Sequence, residues 1–148
     1  MLVILDSGPL GMVTNPRAEG VNRECSEWLR RLVNRGVQVA VPEIADYEIR
    51  RELLRAGRHD GLTRLDALNA AVRYLPLTTA VMRKAAEFWA QARLQGNQTA
   101  ADKALDADMI LSAQCESVKH DGDDAVVATT NVGHLSLFTD ARHWRDIQ

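Results

Sequence analysis

The chain has 148 residues, of which 46% are hydrophobic and 26% are charged, which fits one globular domain large enough to bury a core. Its formal net charge of −2 argues against a protein that holds nucleic acid mainly through overall positive charge, but it is compatible with a locally basic surface. The apolar runs are too short to span a bilayer and the start lacks a signal-peptide pattern, so we expect a cytoplasmic protein without membrane contact. Cys25 and Cys115 lack CxxC spacing and are expected to be buried thiols in a reducing compartment.

The first predicted element is the apolar run Leu2-Val3-Ile4-Leu5, which stops at Asp6. A short run without polar alternation is typical of a strand that is buried on both faces, as in a parallel sheet covered by helices. In such sheets ligands gather at the carboxyl ends of the strands, which is where Asp6 would lie. A turn at residues 7–9 and a loop over 11–20 are expected to follow.

Helices and short strands are predicted to alternate along the rest of the chain. Apolar residues recur at helical spacing in several segments, and β-branched runs separate them. The predicted helices cover 21–34, 43–55, 62–72, 80–94 and 105–116; further strands cover 37–41 and 125–128, a short extended piece covers 74–77, and loops cover 96–99 and 121–124. This alternation predicts an α/β fold, a three-layer α/β/α sandwich with a mostly parallel central sheet, in a single domain over 1–148.

Several polar residues are predicted to meet at the carboxyl edge of this sheet. Glu48 lies one turn into the helix after the second strand, Asp108 precedes the apolar run 109–113, and Asn131 follows the strand 125–128. Clustered carboxylates cannot all stay ionised without a compensating cation. Because histidines are few, oxygen ligands favour Mg²⁺ or Mn²⁺ over zinc.

Each acid also has a structural interpretation. Asp6 would cap the turn that follows it, and Glu48 would pair with Arg51, three residues further along the same helix face. Acids such as Asp102 and Asp106 commonly cap a helix or lie in its first turn. His134 is expected to be a structural histidine rather than a ligand or a base.

The ordered set of motifs resembles the PIN-domain family, and most closely the VapC-type toxin ribonucleases. The resemblance extends over essentially the whole chain, and its motifs are Leu5-Asp6-Ser7, Glu48, the segment from Asp108 to Ala113, and Thr129-Thr130-Asn131 ahead of Leu135 and Phe138. It implies a metal-dependent ribonuclease that acts on RNA, with Asp6, Glu48 and Asp108 as the catalytic metal-binding acids and Ser7 as the hydroxyl beside the first. It also implies a homodimer and a cognate antitoxin protein.

The chain departs from the family pattern at the fourth acid, where it has the neutral Asn131. Asp106 is a candidate to compensate as a metal-binding and catalytic acid, although it falls outside the usual pattern. Residues two apart in a helix point to nearly opposite sides, so Asp106 and Asp108 can share a metal only if the helix begins at or after Asp106. The pair Asp102 and Asp106, four apart, is the competing arrangement. We rank Asp108 first, Asp106 second and Asp102 third.

Basic residues near Glu48 are candidates for contact with substrate phosphates. Arg50, Arg51 and Arg55 share its helix, and Arg17 and Lys103 are weaker candidates. Arg50 and Arg51 point in different directions, so one of the two is expected to serve the site.

The function that these residues favour most is that of a metal-dependent ribonuclease. The alternative that Asn131 motivates is a nucleic-acid-binding module of the same fold with weak or no cleavage. A receiver-type phosphotransfer domain would use Asp6 as the phosphoacceptor. A phosphatase of the haloacid dehalogenase type is set aside because Gly8 stands where its second aspartate would be.

Overall fold

The computed structural model describes residues 1–96 and 102–148, and the side chains of Asp102 and Lys103 lie outside the described set. The strands are β1 Leu2–Leu5, β2 Gln38–Pro42, β3 Arg73–Leu75, β4 Ala125–Thr129 and β5 Ala141–His143. The α-helices are α1 Ser7–Thr14, α2 Gly20–Asn34, α3 Glu43–Arg55, α4 His59–Ala71, α5 Thr79–Leu94 and α6 Asp102–His120, and 3₁₀ turns cover Gly133–Leu137 and Trp144–Asp146.

The five strands form one sheet in the order β3-β2-β1-β4-β5, and every neighbouring pair is parallel. The carboxyl ends of β1, β2 and β4 therefore lie side by side at one edge, as the sequence predicted. This order differs from the 2-1-3-4-5 order of receiver domains, which excludes the phosphotransfer alternative.

Alternate residues of β1 face opposite sides of the sheet, and both sides are covered by helices. Val3 and Leu5 belong to a core with Leu10, Cys25 and Trp28 from the first two helices. Leu2 and Ile4 belong to a second core with Leu111 and Cys115 of α6. A third cluster joins α5 to α6 through residues such as Phe88 and Met109. The three-layer prediction is confirmed, because each face of the sheet buries its own set of side chains.

The turn predicted at 7–9 is wrong and the loop predicted over 11–20 is too long, because α1 covers Ser7–Thr14 and only residues 15–19 of that range lie outside helices. Gly8 and Gly11 are poor helix formers, but the buried Pro9 and Leu10 hold the segment in place. Pro9 lies in the first turn, where a missing N–H leaves no hydrogen bond unmade. Gly8 is required by close packing, since a Cβ there would lie 2.6 Å from the Thr130 hydroxyl oxygen.

Other boundaries differ from the prediction by a few residues. Helix α4 begins at His59 rather than at 62, and α6 runs from Asp102 to His120 rather than over 105–116. Strand β5 was not predicted, because three residues at a sheet edge are too few to show a two-residue alternation. Of the loop predicted over 96–99, residues 97–99 lie outside the described part of the chain. None of the helices in the described ranges is long and apolar enough to cross a membrane.

Candidate active site

Asp6 lies between the end of β1 and the start of α1, at the middle of the sheet's carboxyl edge. Its Oδ1 accepts a hydrogen bond of 2.7 Å from the backbone N–H of Ser7, and its Oδ2 accepts one of 2.7 Å from the hydroxyl of Thr129. Burial raises the pKa of Asp6, while the bonds from Thr129 and Ser7 oppose that rise. Asp6 thus caps α1 and is also a carboxylate held in place by donors from two segments.

Thr129 was not predicted as a site residue. It is the last residue of β4 and is fully buried. Besides its bond to Asp6, its hydroxyl oxygen accepts the backbone N–H of Asn131 at 3.0 Å. The available signal was a hydroxyl residue at the end of an apolar strand, where a buried polar group needs a partner.

Glu48 and Asp108 approach Asp6 from two other elements. The pKa of Glu48 is raised mainly by burial and further by the charges of Asp6 and Asp108, and the charge of Arg51 opposes this rise. Burial and the charge of Asp6 raise the pKa of Asp108 to about 6, and His134 opposes that rise. Three acids from distant parts of the chain are therefore close enough for their charges to act on one another.

His134 contacts this acid cluster, in addition to any structural role. Its Nδ1 lies 3.5 Å from Oδ2 of Asp108, and both side chains are about 30% exposed (31% and 29%). Its position in the 3₁₀ turn after β4 brings it to the first turns of α6. Sequence spacing alone offered no signal for this pair.

The donor set of the cluster suits a hard divalent cation, because it consists of carboxylate oxygens that repel one another. In the described ranges, however, no three His, Cys, Asp or Glu side chains are arranged closely enough to hold one ion. A shared ion would therefore be held partly through water or after a shift of a side chain, and Asp6 is the acid that its two donors restrain most directly.

Asp106 is separated from the cluster by the geometry of α6. The helix begins at Asp102, so it is continuous through Asp106 and Asp108, and the two side chains point to nearly opposite sides. Asp106 is exposed, whereas Asp108 is partly buried. The condition under which both acids could share a metal is not met, so the geometry of α6 argues against Asp106 as a metal-binding acid. The side chain of Asp102 lies outside the described residues.

Ser7 and Asn131, the two predicted polar neighbours, lie in different surroundings. Ser7 is half-buried against Asp6, and its hydroxyl helps to lower the pKa of that carboxyl. Asn131 is exposed, and its backbone N–H is bound to Thr129.

The arginines of α3 differ in the side chains that they contact. Arg50 donates to Asp46 at 3.1 Å and to Asp66 at 2.7 Å. Its partner Asp46 is buried and also accepts the Tyr74 hydroxyl at 2.7 Å, so this arginine serves the structure. Arg51 instead lies 5.1 Å from the centre of the Tyr47 ring, and its charge lowers the pKa of Glu48.

Arg17 and Arg55 do not contact the three acids in the part of the chain that is described. Arg55 pairs with Glu52 at 2.9 Å. Arg17 lines an open cavity of about 810 Å³ between α1, α3 and the start of α4, whose lining includes Ile49 but none of the three acids. The side chain of Lys103 lies outside the described residues.

The fold and the cluster together define a class of protein: a parallel α/β sandwich with convergent carboxylates at the carboxyl edge of its sheet. No protein-family profile matches the chain, and no curated protein matches it.

Solved structures do match over nearly the whole length. They include VapBC2 from Rickettsia felis bound to a DNA fragment from their promoter, with a TM-score of 0.72, 12% identity, and coverage of 97% of this chain and 99% of that chain. VapBC-1 from nontypeable Haemophilus influenzae has a TM-score of 0.69 and 14% identity, covering 98% and 99%. DNA-bound VapBC from Salmonella typhimurium has a TM-score of 0.67 and 15% identity, covering 97% and 99%. At these identities the similarity establishes the fold alone, and that fold is the PIN-like three-layer sandwich that the sequence predicted.

Proposed function

We propose that this chain is a metal-dependent endoribonuclease that hydrolyses RNA phosphodiester bonds, and that it is the toxin of a VapBC-type toxin–antitoxin pair. The observation that carries the proposal is the convergence of Asp6, Glu48 and Asp108, which come from the junction of β1 and α1, from α3 and from α6, and which influence one another's ionisation. Partly buried like charges of this kind are relieved by a divalent cation. The similarity in fold to VapBC structures supports the same conclusion.

In this proposal Asp6, Glu48 and Asp108 hold Mg²⁺ or Mn²⁺. When bound, the ion supplies Lewis-acid chemistry, activating water and balancing the charge that develops on the phosphate. The donors from Ser7 and Thr129 favour the ionised form of Asp6, against the effect of burial, and orient its carboxylate. His134 restrains Asp108, and Arg51 is the cation placed to contact a substrate phosphate.

The test is cleavage of a labelled RNA with Mg²⁺ or Mn²⁺ and with EDTA. We expect cleavage only with the metal ion, and losses of more than about 100-fold in Asp6→Asn and in Asp108→Asn, since even changes that only misorient a metal ligand cost about 10–100-fold. Asp121→Asn, an exposed acid in the turn after α6, is the matched control and should cleave like wild type. Folded variants of Asp6 and Asp108 that cleave normally would exclude this site.

The same assay decides the place of Asp106. Because α6 is continuous from Asp102, we expect Asp106→Asn to retain cleavage. A loss as large as that of Asp108→Asn would show that both acids serve the reaction.

We further propose an antitoxin protein as a partner and a homodimer as the assembly. The support for the antitoxin is that the matching solved structures are of VapBC proteins, to which this chain is similar in fold. The homodimer is proposed on the resemblance to the PIN-domain family. Light scattering on the purified chain, and on the chain co-expressed with its neighbouring gene product, measures both. A monomer that gains no partner would contradict this part.

A second candidate is a nucleic-acid-binding module of the same fold that cleaves weakly or not at all. Two observations favour it: the neutral Asn131 in place of an acid, and the absence of a ready three-ligand arrangement in the described ranges. Under this alternative, wild type binds RNA but leaves it intact with every divalent metal tested.

A further inference from the structure

Tyr47 and Arg51 form an exposed surface on α3, beside the acid cluster. The Tyr47 residue is 55% exposed, and the guanidinium carbon of Arg51 lies 5.1 Å from the centre of its ring. Residues four apart share one face of a helix, so both side chains project from the same side of α3. We call this pair the α3 platform. Glu48 directly follows Tyr47 in the chain, with its Cα about 3.8 Å away.

Arg51 connects the platform to the acids. It lies four residues after Tyr47 and three after Glu48, which places it between the ring and the carboxylate on the helix surface. Its neighbours Arg50 and Arg55 are engaged by carboxylates. Within the described ranges, no carboxylate lies at salt-bridge distance from Arg51, so its charge is available to an anion from outside the chain.

An exposed aromatic ring with an arginine beside it suits an unpaired nucleotide. Every base has a π-face that stacks on an aromatic side chain, and arginine contacts the adjacent backbone phosphate. A base inside a duplex is already stacked and cannot use such a ring. The chemistry of the platform therefore matches single-stranded RNA rather than duplex RNA.

We propose that the α3 platform stacks one unpaired base of single-stranded RNA on Tyr47, with Arg51 on the neighbouring phosphate, next to the position at which the strand is cut. The position of the cut rests on the proposed function, whereas binding of the base to Tyr47 does not depend on cleavage. Tyr47 is thereby a substrate-binding residue, and α3 is the element that selects single-stranded RNA over duplex RNA.

The main competing occupant is a second copy of this chain. Leu54 lies seven residues after Tyr47 on the same face and is 62% exposed, and tyrosine and arginine are common in protein interfaces. The observation that favours RNA is the position of Arg51 at the border of the acid cluster, with no carboxylate at salt-bridge distance in the described ranges, where a phosphate would lie beside the proposed metal ligands. The oligomeric state of the variants separates the two occupants.

The experiment measures binding of a fluorescein-labelled single-stranded RNA by anisotropy in EDTA, so that cleavage plays no part. We expect Tyr47→Ala to weaken binding by roughly 5- to 150-fold, the range for loss of one stacked base, and Tyr47→Trp to bind as well as wild type. Binding of a duplex of the same sequence should be unchanged. Trp89→Ala is the matched control, because Trp89 is 37% exposed and lies 5.3 Å from the guanidinium of Arg93, but on α5, which supplies none of the acids.

The outcomes distinguish this inference from the proposed function. Wild-type cleavage with Mn²⁺, together with normal RNA binding by Tyr47→Ala, overturns the platform and leaves the nuclease intact. Weakened binding by Tyr47→Ala without cleavage by any form supports the platform and removes the nuclease. If Tyr47→Ala changes the mass measured by light scattering and its binding defect disappears at high protein concentration, the face is a protein interface and the inference is wrong.

Discussion

Replacing Asp108 by asparagine should stabilise the metal-free protein at neutral pH, although it should greatly reduce the proposed RNA cleavage. In the folded chain the pKa of Asp108 is raised from 3.8 to about 6 by burial and by the charge of Asp6. Between these two values the folded state holds a proton that the unfolded chain has released. The contribution of Asp108 to the free energy of unfolding therefore falls as the pH rises, by up to about 1.4 kcal/mol per pH unit and about 3 kcal/mol in total. Asparagine does not titrate, so the variant lacks this fall.

The gain should be smaller than the full amount. The Asp108 side chain is 29% exposed, so solvent screens part of the repulsion, and the variant loses the contact with His134, worth under about 1 kcal/mol. We expect a net gain of about 1–3 kcal/mol above pH 6.5 and none below pH 4. For a chain of this length, each kcal/mol raises the midpoint of thermal unfolding by about 2–4 °C.

The assay is urea unfolding in EDTA at pH 3.5, 5 and 8, followed by the fluorescence of the buried Trp28 and Trp144. The matched control is Asp106→Asn, an exposed acid two residues earlier on the same helix, which should stay within about 0.5 kcal/mol of wild type at each pH. If Asp108→Asn is less stable than wild type at pH 8, or if its effect does not depend on pH, the three acids do not repel one another and do not form a cluster.

The remaining predictions concern the ion, the donor to Asp6 and the packing beside it. Mn²⁺ at about 100 times its dissociation constant should stabilise wild type by about 2.7 kcal/mol in thermal unfolding, and Asp6→Asn should remove this effect while Asp121→Asn keeps it. Thr129→Val, which removes the 2.7 Å bond to a carboxylate, should cost about 1.5–3 kcal/mol in urea unfolding, whereas Thr129→Ser should cost less; equal stability of the two would contradict the role of the hydroxyl. Gly8→Ala should cost about 1–3 kcal/mol because its Cβ would lie 2.6 Å from the Thr130 hydroxyl oxygen, and a second change, Thr130→Ala, should recover much of the loss if that clash is the cause.

The elements that local sequence predicted best are those whose ends carry strong local signals. Helix α3 covers Glu43–Arg55 as predicted, with Pro42 before it, acids in its first turn and Arg55 in its last. Helix α5, predicted over 80–94, covers Thr79–Leu94 and is capped by Thr78, whose side chain accepts the N–H of Val81.

Helix α1 was missed for the opposite reason. Its sequence contains Gly8, Pro9 and Gly11, which disfavour a helix locally, so its helical state depends on burial of Pro9 and Leu10 in the tertiary core. Local propensity is a weak prior that packing overrides.

For the candidate site, the sequence alone determined that apolar strand residues end on Asp6 and that Glu48 and Asp108 recur where strand ends and helix starts would meet. Only the tertiary structure decided which groups act on these acids. The hydroxyl that holds Asp6 comes from Thr129, 123 residues away, and Arg51 rather than Arg50 is left for the site because Asp46 and Asp66 engage the latter. Periodicity reports which face of an element is apolar, whereas hydrogen bonds and ion pairs between distant segments depend on how the chain crosses over and packs.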